Sequence, residues 1–480
     1  MHFKIVLQIL GFLLLFLGAA LLLPIPWAIY YGESDWIYFL QSALPCFLLG
    51  GLSFVTSDKN QDLRPKEGFA VVTFGWITLS AFGALPYYLS GAIPSFTDAF
   101  FETISGFTTT GASILTDIES LSYSILFWRN LTNWLGGMGI IVLTIAILPF
   151  LGVGGMQLFK AESPGPIADR LKPRITETAK LLWLVYLIYT VIIVILLLFG
   201  GMNLFDSICH AFSTIATAGH SPKNTSIGYY SSFYIDYVII IFMMIASINF
   251  SLHYKLLTGD WRALIKNYEF RFFLIVVIIA SLIIIGDKLI NTEDTIAWIL
   301  DSTLFQVLAI TSTTGLGNSD YELWPMLSQK IIFVIMFMGG MAGSTAGGIK
   351  VIRIIVLIKF VFHEIKKLIH PNAIINMRIG DQLIDRSIIM NVMGFLVMFC
   401  LIALFGTVAI SMMGLDFLTS FSAVITTLNN VGPGFGLIGP TDNYAFIPDA
   451  GKWILSFFML VGRLEFFTVL ILLTPQYWTK

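Results

Sequence analysis

Runs of roughly 20 mostly apolar residues, the length that crosses a bilayer as an α-helix, recur along the chain. They lie at about 4 to 30, 36 to 56, 68 to 90, 124 to 151, 181 to 201, 233 to 257, 271 to 290, 328 to 360, 388 to 413 and 451 to 474, which predicts ten spans. Between several of them sit shorter apolar segments, near 97 to 108, 205 to 216, 300 to 312 and 417 to 428, each too short to cross and each ending in a Thr/Gly/Asn-rich loop. The pattern predicts an all-α polytopic membrane protein of four tandem helix, pore loop, helix repeats around a pseudo-fourfold pore, preceded by an N-terminal two-helix hairpin. The boundaries fall at 1–60 for the hairpin, 61–160, 161–260, 261–370 and 371–480 for the four repeats, the third having a broken inner helix. Lys4, the apolar stretch after it and Gly18-Ala19-Ala20 resemble a signal peptide. The run continues through Trp27, however, into an equally apolar chain, and a retained first span is the expectation.

The four short segments align on Gly111, Gly219, Gly315 and Gly432, which are 108, 96 and 117 residues apart. That spacing is two spans plus a half-crossing segment, so the repeat is architectural. Each segment begins with an acid, Asp98, Asp206, Asp301 or Asp416, which suits the N-cap of a short helix running inward from the outer surface. The partially negative C-terminal end of such a helix points to mid-membrane, where it stabilises a dehydrated cation. Two residues before the glycine stand Thr109, Thr217, Thr313 and Asn430, and immediately before it Thr110, Ala218, Thr314 and Val431. A Thr, a small or branched residue and then Gly form the pattern of a selectivity strand, four of which replace an ion's hydration shell with backbone carbonyls. Non-helical backbone at this depth is tolerated only where it is buried in protein or lines water. One such loop could be a re-entrant turn that merely packs; four in register favour a pore. Threonine hydroxyls often bond back to their own helix, so the ion site is assigned to the carbonyls. The fourth unit carries Asn429-Asn430-Val431, with Pro433 after the glycine, which predicts a departure from strict fourfold geometry. Nine residues before the glycine stand Glu102, His210 and Gln306, placed to brace the strand from behind, with Ala423 in the fourth unit.

Within the run at 328 to 360 come Gly339, Gly340, Gly343, Ser344, Thr345, Gly347, Gly348 and Lys350. Each glycine costs a helix roughly 1 kcal/mol relative to Ala, so a mid-membrane break is expected; the bland alternative is a small-residue packing face. Arg463 lies inside the last run, where a charge costs on the order of 3 kcal/mol, and so should face a watery cavity or a partner. Glu465, two residues on, would sit on a different helix face.

Composition sharpens this picture. The chain is 57% hydrophobic and 12% charged, more apolar than a soluble core of its 480 residues requires. A net charge of -2 with scattered basic residues offers no face for nucleic acid. Twenty-one of the 27 Lys and Arg fall in the connections on one side, so both termini are predicted to be cytoplasmic and the four short segments to open outward. The longest cytoplasmic connections, at about 152 to 180 and 361 to 387, read either as tethers on the lipid surface or as docking sites for a soluble partner. Cys46, Cys209 and Cys400 are separate and read as buried structural thiols. No Ser/His, paired-Asp or His-rich metal constellation lies in the spans, so an enzyme is not expected.

With these motifs the chain resembles the Trk/Ktr/HKT superfamily of potassium transport proteins over nearly its whole length. The two spans ahead of the first repeat favour its TrkH type over its KtrB type. The resemblance matches Gly111, Gly219, Gly315 and Gly432 to the first glycine of a potassium-channel signature, and Gly111 argues against the serine that goes with sodium transport in some plant relatives. It implies potassium as the transported ion, bound at the strands named above, with no organic cofactor. It further implies that the loop at Gly339 to Gly348, ending at Lys350, obstructs the pore and moves aside on activation, and that Arg463 raises a barrier to cations beneath the filter. A homodimer, a cytoplasmic nucleotide-binding regulatory subunit and placement in the cell (inner) membrane follow from the resemblance as well. The chain itself has no GxGxxG or Walker loop on its cytoplasmic side. The rival reading is a proton- or sodium-coupled carrier with alternating access, whose expected signs are two inverted halves and a buried mid-depth carboxylate.

Overall fold

A backbone immersed in hydrocarbon must satisfy its own N–H and C=O groups, and the apolar runs of this chain do so as helices. The computed structural model describes residues 3–55, 65–139, 175–371, 377–380 and 382–479. Among them, six helical segments are long and apolar enough to cross a membrane: Phe3–Tyr31, Trp36–Ser53, Lys66–Leu89, Ala179–Phe199, Tyr268–Asn291 and Arg386–Ser411. The inner half of the expected span at 124 to 151 and nearly all of the connection at 152 to 180 lie outside the described residues. In the connection at 361 to 387, Arg378–Ile379 and Gln382–Leu383 form a two-residue antiparallel ladder.

Helices α1 (Phe3–Ala20), α2 (Ile25–Tyr31) and α3 (Trp36–Val55) make the N-terminal hairpin. It closes tightly because small residues face each other, and a Cβ on Gly50 would lie 2.7 Å from the carbonyl oxygen of Gly11. Next come α4 (Pro65–Gly83), α5 (Leu85–Leu89), the half-crossing α6 (Phe96–Phe107) and α7 (Tyr123–Gly137). The order then recurs: α8 (Ile175–Phe199), half-crossing α9 (Leu204–Ala216), α10 (Phe233–Ala246), α11 (Phe250–Leu257) and α12 (Trp261–Lys266). It recurs again as α13 (Tyr268–Asn291), half-crossing α14 (Ile296–Thr311), α15 (Met326–Ile335) and α16 (Val351–Ile369). The last set is α17 (Arg386–Ser411), half-crossing α18 (Phe417–Asn429), α19 (Asp449–Leu464), α20 (Phe466–Leu470) and α21 (Pro475–Trp478). Around the molecule α7 packs on α9, α10 on α14, and α19 returns to α6. Phe333 of α15 meets Phe421 of α18 at 6.0 Å between ring centroids.

Two expected spans are not straight. The run at 233 to 257 turns through 104° between α10 and α11, and the run at 451 to 474 through 116° between α19 and α20. At the first bend the backbone is diverted to another segment: Met341 N donates to Ser247 O at 2.9 Å and Phe250 N to Gly343 O at 3.0 Å. Asn249 then caps α11 by accepting from Ser251 N. At the second bend Glu465 takes a left-handed φ of 62° and pairs with Arg353 of α16. The run at 328 to 360 breaks as its glycines require, and the gap extends from Met336 to Lys350.

The aspartates at the entrances of the short helices are a second correction. The side chains that cap α6, α9, α14 and α18 are Ser95, Asn203, Thr295 and Asp416, each accepting from the backbone N–H three residues on. Only Asp416 is itself a cap. Asp98 and Asp206 occupy the first turn, where they complement the helix dipole, and Asp301 is fully buried a turn further in, beside the Asn318 amide. Asp98 also pairs with the buried Lys452 of α19 at 2.5 Å. Of the cysteines, Cys46 and Cys209 are buried, but Cys400 is exposed on the outer face of α17.

The loop between α2 and α3 caps α7. Glu33 accepts from Tyr123 N at 2.6 Å and Ser124 N at 3.1 Å, and Asp35 accepts from the Ser122 hydroxyl. Glu33→Ala leaves those N–H groups without their acceptor and should cost about 1–2 kcal/mol, read as a lower thermal midpoint in detergent. Glu33→Gln, which still accepts, should lose less; equal midpoints for all three proteins would remove the cap from the account.

Candidate ion pathway

All four half-crossing helices end in the same way. The residues two before the glycine, Thr109, Thr217, Thr313 and Asn430, have φ of 54°, 53°, 57° and 52°, although none is glycine. The next N–H, of Thr110, Ala218, Thr314 or Val431, reaches back five residues, at 2.8 to 2.9 Å in each case. This is a helix stop with a left-handed residue after the last turn. It costs of order 1–3 kcal/mol at each non-glycine position, so the surroundings must hold it. The glycines follow with φ of 78° at Gly111, 91° at Gly219, 69° at Gly315 and 89° at Gly432.

These glycines close a ring. A methyl group added to Gly111 would strike the carbonyl oxygen of Ala218; on Gly219 it would lie 2.5 Å from Thr314 O; on Gly315 it would strike Val431 O; and on Gly432 it would lie 2.6 Å from Thr110 O. Each glycine thus abuts the residue before the glycine of the next segment, and the fourth returns to the first. All twelve residues singled out in the strands are brought together.

Behind the ring, each half-crossing helix holds the chain that follows its glycine. Glu102 accepts from Ile114 N at 2.9 Å and from the Ser113 hydroxyl, His210 Nε2 lies 3.0 Å from Ser221 Oγ, and Gln306 donates to Ser319 O at 2.8 Å. In the fourth segment the partner is Ser422, one residue before the aligned Ala423, whose hydroxyl accepts from Phe435 N at 2.7 Å. Neighbouring segments are also tied to each other. Arg129 of α7, buried against Glu102 at 2.6 Å, donates to Ser221 O at 2.9 Å. Ile227 N donates to Gly317 O, Tyr321 OH to Gly434 O and Tyr444 N to Ser113 O, at 2.9, 2.7 and 2.8 Å. In the loops that follow the first two glycines Asn224 donates to Asp117 at 3.0 Å and holds its carboxyl below the usual carboxylate range.

The segment between α15 and α16 lies against the ring. Gly347 N donates to the Thr313 hydroxyl at 2.7 Å, and a Cβ on Gly347 would lie 3.0 Å from Asn430 Cβ. The Thr345 hydroxyl donates to Ile215 O and Ala246 O at 3.0 and 3.2 Å, while Ser344 bonds within the segment to Met341 O. Gly339, Gly343 and Gly348 take φ of 71°, 75° and 79°, and a Cβ on Gly340 would lie 2.6 Å from that of Ala346. Lys350, at φ 74°, folds its amine back onto Ala346 O instead of reaching the ring. Arg463 joins the parts: it donates to the Thr109 hydroxyl at 3.1 Å, to Thr345 O at 2.8 Å, and to Gly136 O and Gly137 O at the end of α7 at 2.8 and 3.0 Å. Of the threonines two before the glycine, Thr313 thus accepts from this segment and Thr109 from Arg463, whereas the Thr217 hydroxyl bonds locally, to Ala216 O.

Sequence reasoning missed Glu269, which accepts from both Ala342 N and Ile352 N at 2.9 and 3.1 Å and so ties the segment to the start of α16. An acid at the start of a span was its only signal. The buried role of Arg129 had no signal in the sequence pattern. Among the described residues no group of His, Cys, Asp and Glu side chains is arranged to hold a metal.

The family model described as "TrkH: Cation transport protein" matches residues 38–480. The chain is 40% identical to the "Trk system potassium uptake protein TrkH" of Salmonella typhimurium and 39% identical to that of Halomonas elongata, covering 100% of both chains in each case. The crystal structure of the potassium transporter TrkH from Vibrio parahaemolyticus is similar with a TM-score of 0.90 at 35% identity, again over 100% of each chain. The chain belongs to the TrkH family of cation transport proteins, which are transporters and not enzymes.

Proposed function

We propose that this chain takes up potassium across the cytoplasmic membrane through a selectivity filter of backbone carbonyls at Thr109 to Gly111, Thr217 to Gly219, Thr313 to Gly315 and Asn430 to Gly432. The observation that carries the reading is the closed contact of the four glycines, each against the carbonyl before the next. An ion on the axis of such a ring exchanges its water for carbonyl dipoles, and the helix C-termini behind them add negative potential. The four-part division of the chain given above is the matching domain organisation. Relatives named as potassium uptake proteins support the choice of ion.

The segment from Gly339 to Gly348 is the gate in this reading, with Arg463 as its catch. Hydrogen bonds from Gly347 N and Arg463 to threonines of the ring keep the segment against the filter. The guanidinium beneath the filter repels a cation that has lost its water. Basic residues concentrated on one side support cytoplasmic termini and outward-opening short segments. The Trk system named in the relatives supports a multi-component assembly. We assign to it a homodimer of this chain and a cytoplasmic subunit that senses nucleotide and works the gate.

The deciding experiment is cation flux into liposomes containing the purified chain, with potassium, rubidium, sodium and lithium compared. Potassium and rubidium should lead. Gly315→Ser, which puts a side chain against Val431 O at a left-handed φ of 69°, should lower the preference for potassium. Flux that required an imposed proton or sodium gradient and ignored Gly315→Ser would establish the coupled carrier instead.

A second comparison addresses the gate. Arg463→Ala removes the links to Thr109, Thr345 and the end of α7 together, and should raise flux severalfold without any partner subunit. Unchanged or lower flux in protein that elutes as a folded species would count against the catch.

A further inference from the structure

We propose that Tyr444 tunes ion discrimination by drawing one of the four glycine carbonyls of the filter away from the ion. This inference rests on the filter reading above. The Tyr444 hydroxyl donates to Gly432 O at 2.7 Å, and both groups are buried. Among the described residues, no group donates a hydrogen bond to the oxygens of Gly111, Gly219 or Gly315. Among the described residues, three of the four ring glycines therefore present a carbonyl with no protein donor.

The hydroxyl is held where it is from several directions. Tyr444 N donates to Ser113 O at 2.8 Å, its ring lies 5.6 Å from that of Phe101 between centroids, and its oxygen is 2.9 Å from the Thr426 hydroxyl. Thr426 does not depend on it, because its hydroxyl also bonds to Ser422 O at 2.9 Å. A carbonyl that accepts from a protein donor has part of its field committed there, and the number and field of coordinating dipoles govern discrimination between ions. The fourth strand thus differs from the others through a donor behind it, in addition to its Asn-Asn-Val sequence.

Removing the hydroxyl alone gives a test with a definite sign. In Tyr444→Phe the ring packing and the backbone bond to Ser113 remain, but Gly432 O is left buried without a donor, which is unfavourable. Glycine has the freedom to rotate its peptide, and the partner available is an ion on the axis. In liposome flux the potassium-to-sodium ratio of Tyr444→Phe should rise severalfold over the unsubstituted chain. The potassium concentration giving half-maximal thermal stabilisation in detergent should fall. A purely structural brace would give the opposite: a lower ratio and a lower thermal midpoint. An unchanged or lowered ratio overturns the inference while leaving the filter reading intact. If the unsubstituted chain itself shows no preference for potassium, the filter reading fails and this inference falls with it.

Discussion

Four stretches of non-helical backbone meet inside an apolar envelope, where lipid cannot take their hydrogen bonds. Much of the surrounding structure exists to supply partners. The N–H that follows each left-handed residue returns to the helix behind it. The chain beyond each glycine is held by Glu102, His210, Gln306 or Ser422 from the short helix, and by a donor from the adjacent segment. Among the described residues, the oxygens of Gly111, Gly219 and Gly315 receive no hydrogen bond after this accounting, and the proposed filter rests on such carbonyls around an axis. The strain of four non-glycine residues at positive φ is kept in place by the same contacts.

The segment beneath the ring faces the same constraint and solves it differently. Its peptide groups are taken by side chains and by broken helix ends: Glu269 binds Ala342 N and Ile352 N, Ser247 O takes Met341 N, and Arg463 takes Thr345 O. This explains why the helix breaks cluster. The gap at 336–350 and the bends after Ala246 and at Glu465 belong to one polar layer, in which each break supplies the acceptors or donors that another lacks. A layer built of side-chain partners can exchange them, whereas the Schellman-type stops above are local and rigid. In the proposed reading this difference in bonding separates the filter from its gate.

The parts legible in the sequence were those set by local chemistry repeated in register. The glycines and the residues before them fixed the ring because the same backbone conformation needs the same residue pattern at each turn, and the glycine pairs from 339 to 348 could not continue a helix. Three of the entrance aspartates are not the caps: an acid is favourable both as a cap and in the first turn, and the caps are Ser95 and Asn203, three residues before Asp98 and Asp206, and Thr295, six before Asp301. The bends were not legible. Nothing in Ser247-Ile248-Asn249 forbids a helix; it breaks because Met341 and Gly343 arrive from another part of the chain. Glu465 is likewise a good helix residue whose left-handed φ goes with its tertiary pairing to Arg353. Alignment by position also hid Ser422, one residue out of register with Glu102, because a shorter side chain must start from a different place to reach the equivalent peptide.

The fourfold pattern is in truth closer to two pairs. Opposite segments one and three place threonine before the glycine, and in each that hydroxyl meets the one two residues earlier, Thr108 with Thr110 at 2.8 Å and Ser312 with Thr314 at 2.6 Å. Segments two and four have Ala218 and Val431 there, with no hydroxyl to offer. The segments then diverge in how their left-handed residue is used: Thr109 receives Arg463, Thr313 receives Gly347 N, Thr217 turns back on itself, and Asn430 reaches across to Thr110 and Met459 O. A single chain can do this where four identical subunits cannot, because each copy is free to change its side chains while keeping the backbone. The element shared by the four segments is therefore the conformation, and the asymmetry in its side chains is what lets Thr109 and Thr313 accept from Arg463 and Gly347 N while the Thr217 hydroxyl stays local.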